Sequence, residues 1–175
     1  MALQQLDLCE DEIVNQIEGK TNKRLVQLIL DSYNEYGLTY KVRESWVPKD
    51  SDKKYYRIFL YIKKSKEALI INTGSYSGEG FSIQLRIKNR SVLNNIGFLS
   101  QNVRNSILNA TDCRAPNCSN DGCEYVFYYQ GKEYRKCHMI CSCFFFRKIE
   151  DEDVDCLMEI IRNEIIFDLP KKKRI

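Results

Sequence analysis

The sequence has little of what catalysis usually draws on. Among its 175 residues one is histidine, His138. A single histidine excludes the helical H-E-x-x-H zinc site, and the sequence shows no Ser-His-Asp set. The glycines form no phosphate cradle: Gly74, Gly78 and Gly80 fall close together, but no Lys-Ser or Lys-Thr follows, so the stretch reads as a loop. The paired carboxylates between Glu150 and Asp155 sit at a helix start, where capping explains them. No apolar run approaches the ~20 residues that cross a bilayer, so no membrane partner is expected. Met1 to Glu12 carries Asp7, Glu10, Asp11 and Glu12 in place of a basic start and an apolar stretch, which predicts no secretory signal. The expected compartment is the cytoplasm, where thiols stay reduced. Internal repeats and low-complexity segments are lacking as well.

What is present reads as an ordinary folded chain. It is 43% hydrophobic and 29% charged. At this length it can bury a core without cysteine staples, and one domain suffices. Lysine and arginine total 27 against 24 acidic residues, but four of those cations are Lys171, Lys172, Lys173 and Arg174, so the rest of the chain is net −1. By charge count the body is not a basic nucleic-acid binder. The tail reads as a solvated run, or as an arm toward a partner. Pro170 before it stops the preceding helix.

The periodicity predicts an α+β fold. Leu25, Leu28, Ile29, Ser32 and Tyr36 follow a helical repeat over 23–36, and Gly37 ends it. Residues 3–18 are expected to form an earlier helix. From Leu38 the period drops to two, predicting four antiparallel strands near 38–43, 55–63, 68–72 and 81–88 with one buried face. A helix over 91–109, with Val92, Ile96, Leu99, Val103 and Ile107 on one stripe, would cover that face. A final helix starts near Asp151, with Val154, Leu157, Met158, Ile161 and Ile165 as its apolar stripe. Residues 1–111 form the expected α+β core. Residues 112–175 hold a cysteine-rich hairpin, the closing helix and the tail, packed as part of the same domain.

Six of the eight cysteines crowd together: Cys113, Cys118, Cys123, Cys137, Cys141 and Cys143, spaced C-x4-C-x4-C-x13-C-x3-C-x-C. Between Cys123 and Cys137 the pattern predicts a β-hairpin turning at Gln130-Gly131. A hairpin brings its ends together, so Cys123 and Cys137 meet at the open end with Cys118 and Cys141 just beyond. Thiolates gathered this way suit the closed tetrahedral shell of structural Zn2+, its four ligands drawn from Cys113, Cys118, Cys123, Cys137 and Cys141. An iron–sulfur cluster takes the same shell. No metal at all is the further alternative, with thiols buried as small hydrophobes or joined in disulfides. His138 is not expected to share an ion with Cys137, because strand neighbours point to opposite faces. Cys9 and Cys156 are read as packing residues.

The segment from Cys113 to the closing helix resembles the C-terminal part of a group of small, uncharacterised cysteine-rich bacterial proteins. The element that carries the resemblance is Gly131-Lys-Glu-Tyr134-Arg-Lys136-Cys137. It covers about a third of the chain, implies Cys113, Cys118, Cys123 and Cys137 as a set, and implies no activity.

Three functions fit these residues. The first is a non-catalytic binding or regulatory protein with a structural metal and a protein partner. The second is nucleic-acid binding through the outer sheet face, where Lys41, Arg43, Arg57, Tyr61 and Arg86, with Lys63, Lys88, Tyr55 and Phe59, would interleave cations and aromatic rings. The third is thiol redox chemistry at Cys137, Cys141 or Cys143, lowered in pKa by neighbouring Arg135, Lys136, Arg147 and Lys148.

Overall fold

Alternating residues build a sheet here because every second side chain is apolar, and helices at 3.6-residue spacing supply the layer that buries it. The computed structural model describes residues 5–6, 8–45, 54–63, 66–74, 80–87, 89–112, 124–137 and 144–169. In chain order, strand β1 (Gln5–Leu6) precedes helices α1 (Glu10–Asn15) and α2 (Lys20–Glu35). Strands β2 (Thr39–Glu44), β3 (Tyr56–Lys63), β4 (Lys66–Asn72) and β5 (Ser82–Leu85) follow. Then come α3 (Arg90–Asn94), a 3-10 turn (Ile96–Phe98) and α4 (Gln101–Leu108). The hairpin β6 (Glu124–Tyr129) and β7 (Lys132–Cys137), strand β8 (Phe144–Arg147) and helix α5 (Asp151–Asp168) complete the chain.

The class is α+β, as the periodicity predicts, but the main sheet has six strands rather than four. Its order is β1-β2-β3-β4-β5-β8, antiparallel throughout. The predicted meander is β2 to β5. A short strand is added at each edge, β1 against β2 and β8 against β5.

Two helix expectations need correction. Residues 3–18 do not form one helix: Gln5 and Leu6 pair with Arg43 and Val42, and α1 begins only after Cys9. The 91–109 helix is broken into α3, the 3-10 turn and α4. Ser100 restarts it, its Oγ accepting from the backbone N–H of Val103. The predicted apolar stripe survives the break, since Val92, Ile96, Val103 and Ile107 are all buried.

One face of the sheet presents Val42, Ile58, Leu60, Leu69, Ile71, Ile83, Leu85, Phe144 and Phe146 to a single core. The helices answer with Leu25, Val26 and Ile29 of α2, Val103 and Ile107 of α4, and Val154, Leu157, Ile161 and Ile165 of α5. Two buried carboxylates of α5 fasten this layer. Asp153 accepts from Ser100 Oγ (2.5 Å), Asn102 Nδ2 (2.8 Å) and the Glu150 backbone N–H (2.9 Å). Glu164 accepts from the Asn89 backbone N–H at 2.8 Å, just ahead of α3. Both of these buried carboxylates therefore meet hydrogen-bond donors.

The hairpin forms as predicted. Gln130 and Gly131 both take positive φ, +50° and +75°, which suits the right-handed twist of the flanking strands. Phe127 is buried in the core and stacks on Tyr134 at 5.4 Å. At the open end, buried Lys136 donates from Nζ to the Ala110 carbonyl (2.7 Å) and to Asp112 Oδ1 (2.6 Å), tying the hairpin to the segment after α4. No described helix is long and apolar enough to cross a membrane.

Candidate nucleic-acid interface

Strand alternation sends the other half of each strand to the face opposite the core. Cross-strand register then aligns those residues in two rows. One row runs Arg43, Arg57, Asn72, Ser82, Arg147, and the other runs Lys41, Phe59, Ile70, Gln84, Phe145. Tyr61 lies beside the second row, opposite Glu67. Arg86 shares this face, because Leu85 and Ile87 on either side of it are buried in the core. The five residues singled out from sequence, Lys41, Arg43, Arg57, Tyr61 and Arg86, thus do fall on one sheet face.

The centre of the face is Phe59. It is only 8% exposed, yet it is no member of the core cluster. Its cover includes two guanidinium groups, Arg43 at 5.2 Å and Arg57 at 5.3 Å from the ring centroid. Arg57 Nε donates to Asn72 Oδ1 (3.1 Å), and Asn72 Nδ2 donates to Ser82 Oγ (3.0 Å), so polar contacts run along the row. Lys41 Nζ lies 5.9 Å from the Tyr61 centroid and the Arg147 guanidinium 5.4 Å from that of Phe145.

Such cation–aromatic contacts stabilise a sheet by about 0.5–1 kcal/mol each, which accounts for the stacking without any ligand. It does not account for the charge. Arg43 and Arg57 are directly opposite on neighbouring strands, an arrangement that costs free energy. Among the described residues, Lys41, Arg43, Arg57 and Arg86 make no ion pair with a carboxylate. Among the described residues, Arg43 Nε is buried with no hydrogen-bond partner. An unmade bond at a buried donor costs about 1–3 kcal/mol. The face therefore pairs two like charges and leaves one buried donor without an acceptor among the described residues.

Sequence reasoning missed Phe145 and Arg147. Three consecutive phenylalanines suggest a wholly buried strand, but Phe144 and Phe146 face the core while Phe145 is 40% exposed. The signal was the register of the run, which ends in an arginine two positions on. Of the remaining residues expected on this face, Tyr55 packs its ring against Gly74, where an added Cβ would come within 2.5 Å. Lys88 lies outside the described residues.

Cys113, Cys118, Cys123, Cys141, Cys143 and His138, and the tail from Pro170, also lie outside the described residues. Cys137 closes β7, its backbone paired with Glu124, and Asp112 forms an isolated bridge with Lys136. Among the described residues no group of His, Cys, Asp or Glu is placed to hold a metal. Cys9 is exposed at the start of α1, its backbone N–H donating to Glu12 Oε2 at 2.8 Å, so the packing role expected for it is wrong. Cys156 is half-buried, and burial pushes its thiol pKa up. No family model, curated protein or solved structure matches this chain.

Proposed function

We propose that the protein is a non-catalytic binder of single-stranded nucleic acid, with the open sheet face as its ligand surface. The observation that carries this is the row of Arg43, Arg57 and Arg147, edged by Lys41 and Phe145 and lacking carboxylate partners for Lys41, Arg43 and Arg57. Phosphates would meet the cations and bases would stack on exposed Phe145 and half-buried Tyr61. Both contacts tolerate sequence variation. Fluorescence anisotropy with short labelled single strands at low salt checks the reading. Binding is expected for the unaltered protein and its loss for Arg57→Ala with Tyr61→Ala. No binding at low salt would retire the proposal.

The cysteine hairpin supports a second, compatible reading, a structural zinc ion. Cys113 follows Asp112 in the chain, Cys123 precedes Glu124, and the partners of those two residues are Lys136 and Cys137. Two of the expected ligands are thus sequence neighbours of paired residues, Asp112 and Glu124, and a third, Cys137, is itself paired. Cys118 and Cys141 are the candidates for the fourth ligand. The ion would fix the hairpin against the α4 end, since metal binding adds folding free energy directly. Elemental analysis of the purified protein is expected to return one zinc per chain, with the thiols shielded from iodoacetamide until a chelator is added. Iron with visible absorbance would point to the cluster alternative. Immediate labelling at Cys137, Cys141 or Cys143 would point to a redox thiol, and the absence of metal would end the reading.

A further inference from the structure

The edge of the sheet face opens into a cavity of about 400 Å³ between α4 and β8, within the ~300–1,000 Å³ of ordinary small-ligand sites. Two sides of different chemistry meet there. From the strand come Phe145 and Arg147, which end the two rows of the proposed interface. From the helix comes a stripe of small polar side chains, Asn102, Asn105, Ser106 and Asn109, spaced to lie on one face. Asn102 is engaged, its Nδ2 donating to the Lys148 carbonyl (2.9 Å) and to Asp153 (2.8 Å). That holds the near end of the stripe against the strand. Asn105 and Asn109 are exposed, and among the described residues no hydrogen bond occupies either side-chain amide.

We infer that this cavity is a base pocket, and that its ligand is an unpaired adenine. The inference rests on the nucleic-acid reading of the sheet and names the base it prefers. A carboxamide offers one acceptor and two donors side by side. That pattern matches the N6 donor and N7 acceptor of adenine in a bidentate pair, the pairing asparagine makes with this base. Phe145, 40% exposed, brings its ring to the lining with the Arg147 guanidinium 5.4 Å from its centroid, so a base would stack beside that pair. Arg147 stands where the adjoining phosphate would continue along the row toward Ser82 and Arg57. Among the described residues the rest of the face carries a lone uncommitted amide, Gln84, rather than a pair, so base preference would reside here and strand affinity elsewhere.

Anisotropy with homopolymeric adenine, cytosine and thymine strands separates the two roles, using the full chain. Asn105 and Asn109 are exposed, so Asn105→Ala with Asn109→Ala is expected to leave the circular dichroism spectrum unchanged. The unaltered protein is expected to bind adenine strands about tenfold more tightly than pyrimidine strands, and the double variant to bind all three alike. Equal binding of all strands by the unaltered protein overturns the pocket while the sheet reading stands. Should no strand bind, the sheet reading fails, and AMP titrated against the side-chain amide NMR signals decides the pocket. Shifts confined to Asn105 and Asn109 then keep it as a site for the free nucleotide, and unmoved signals overturn it. In either arm, binding that survives the double variant at full strength and preference overturns the assignment of these two asparagines.

Discussion

The helical layer and the sheet face handle charge in opposite ways. Helix α5 carries seven acidic residues against one basic, Arg162, and α1 opens on Glu10, Asp11 and Glu12. Around two of the carboxylates that layer buries, Asp153 and Glu164, backbone and side-chain donors close in. Across the sheet the sign reverses. Lys41, Arg43, Arg57 and Arg86 lack carboxylate partners among the described residues, and a buried Arg43 donor is left without an acceptor. Satisfied buried charge is what a fold builds for itself. Under the proposed function, the cations on this face that lack carboxylate partners among the described residues are kept for a ligand.

The comparison breaks most readily at Asp153. Replacing it with alanine strips three donors of their acceptor and uncaps α5, and is expected to cost about 3 kcal/mol. Urea unfolding would show a lowered midpoint at constant m. A loss below ~1 kcal/mol would mean that the carboxylate does not tie α4 to α5.

Reversing charge sharpens the contrast. Arg43→Glu with Arg57→Glu is expected to weaken single-strand binding about a hundredfold at low salt. Asp155→Lys with Glu159→Lys, on the exposed side of α5, should leave it within twofold. Equal losses from both pairs would make attraction depend on net charge rather than on the face.

A subtler expectation concerns Tyr33, buried in the helical layer near Asp168. Burial, with the Asp168 charge adding to it, raises its pKa far above the ordinary value near 10. In the unfolded chain Tyr33 loses its proton above pH ~10 while the folded form keeps it. The stability this residue contributes is therefore whole below pH ~10 and falls by about 1.4 kcal/mol per further pH unit. Tyr33→Phe should flatten that alkaline slope in urea midpoints measured between neutral and alkaline pH. An unchanged slope would refute the assignment.

The smallest effect is at the sheet itself. Arg57→Ala removes a cation from the Phe59 ring and a bond to Asn72, but relieves repulsion from Arg43, so stability should change by less than ~1 kcal/mol while binding suffers.

Much of this architecture was legible because it follows from periodicity. The two-residue alternation from Leu38 to Leu85 marked both the meander and its outer face, and Gln130-Gly131 marked the hairpin turn. The edges were not legible. Gln5-Leu6 is too short to carry a period, and its pairing with β2 is set by tertiary contact alone. The Phe144–Phe146 run hid its alternation because an exposed phenylalanine reads as a buried one, and with it went Phe145 and Arg147. The break at Ser100 was masked by an apolar stripe that continues through it. The segregation of charge was invisible to composition, which averages the acidic α1 and α5 against the cations of the sheet face.

The central claim meets its most direct trial in the salt dependence of single-strand binding. With three phosphates on Arg43, Arg57 and Arg147, log K should fall against log salt with a slope of about −2, given ~0.7 per contact on single strands, and Arg43→Ala with Arg57→Ala should reduce it to about −0.7. A flat dependence, or a slope the double variant leaves untouched, would contradict the account.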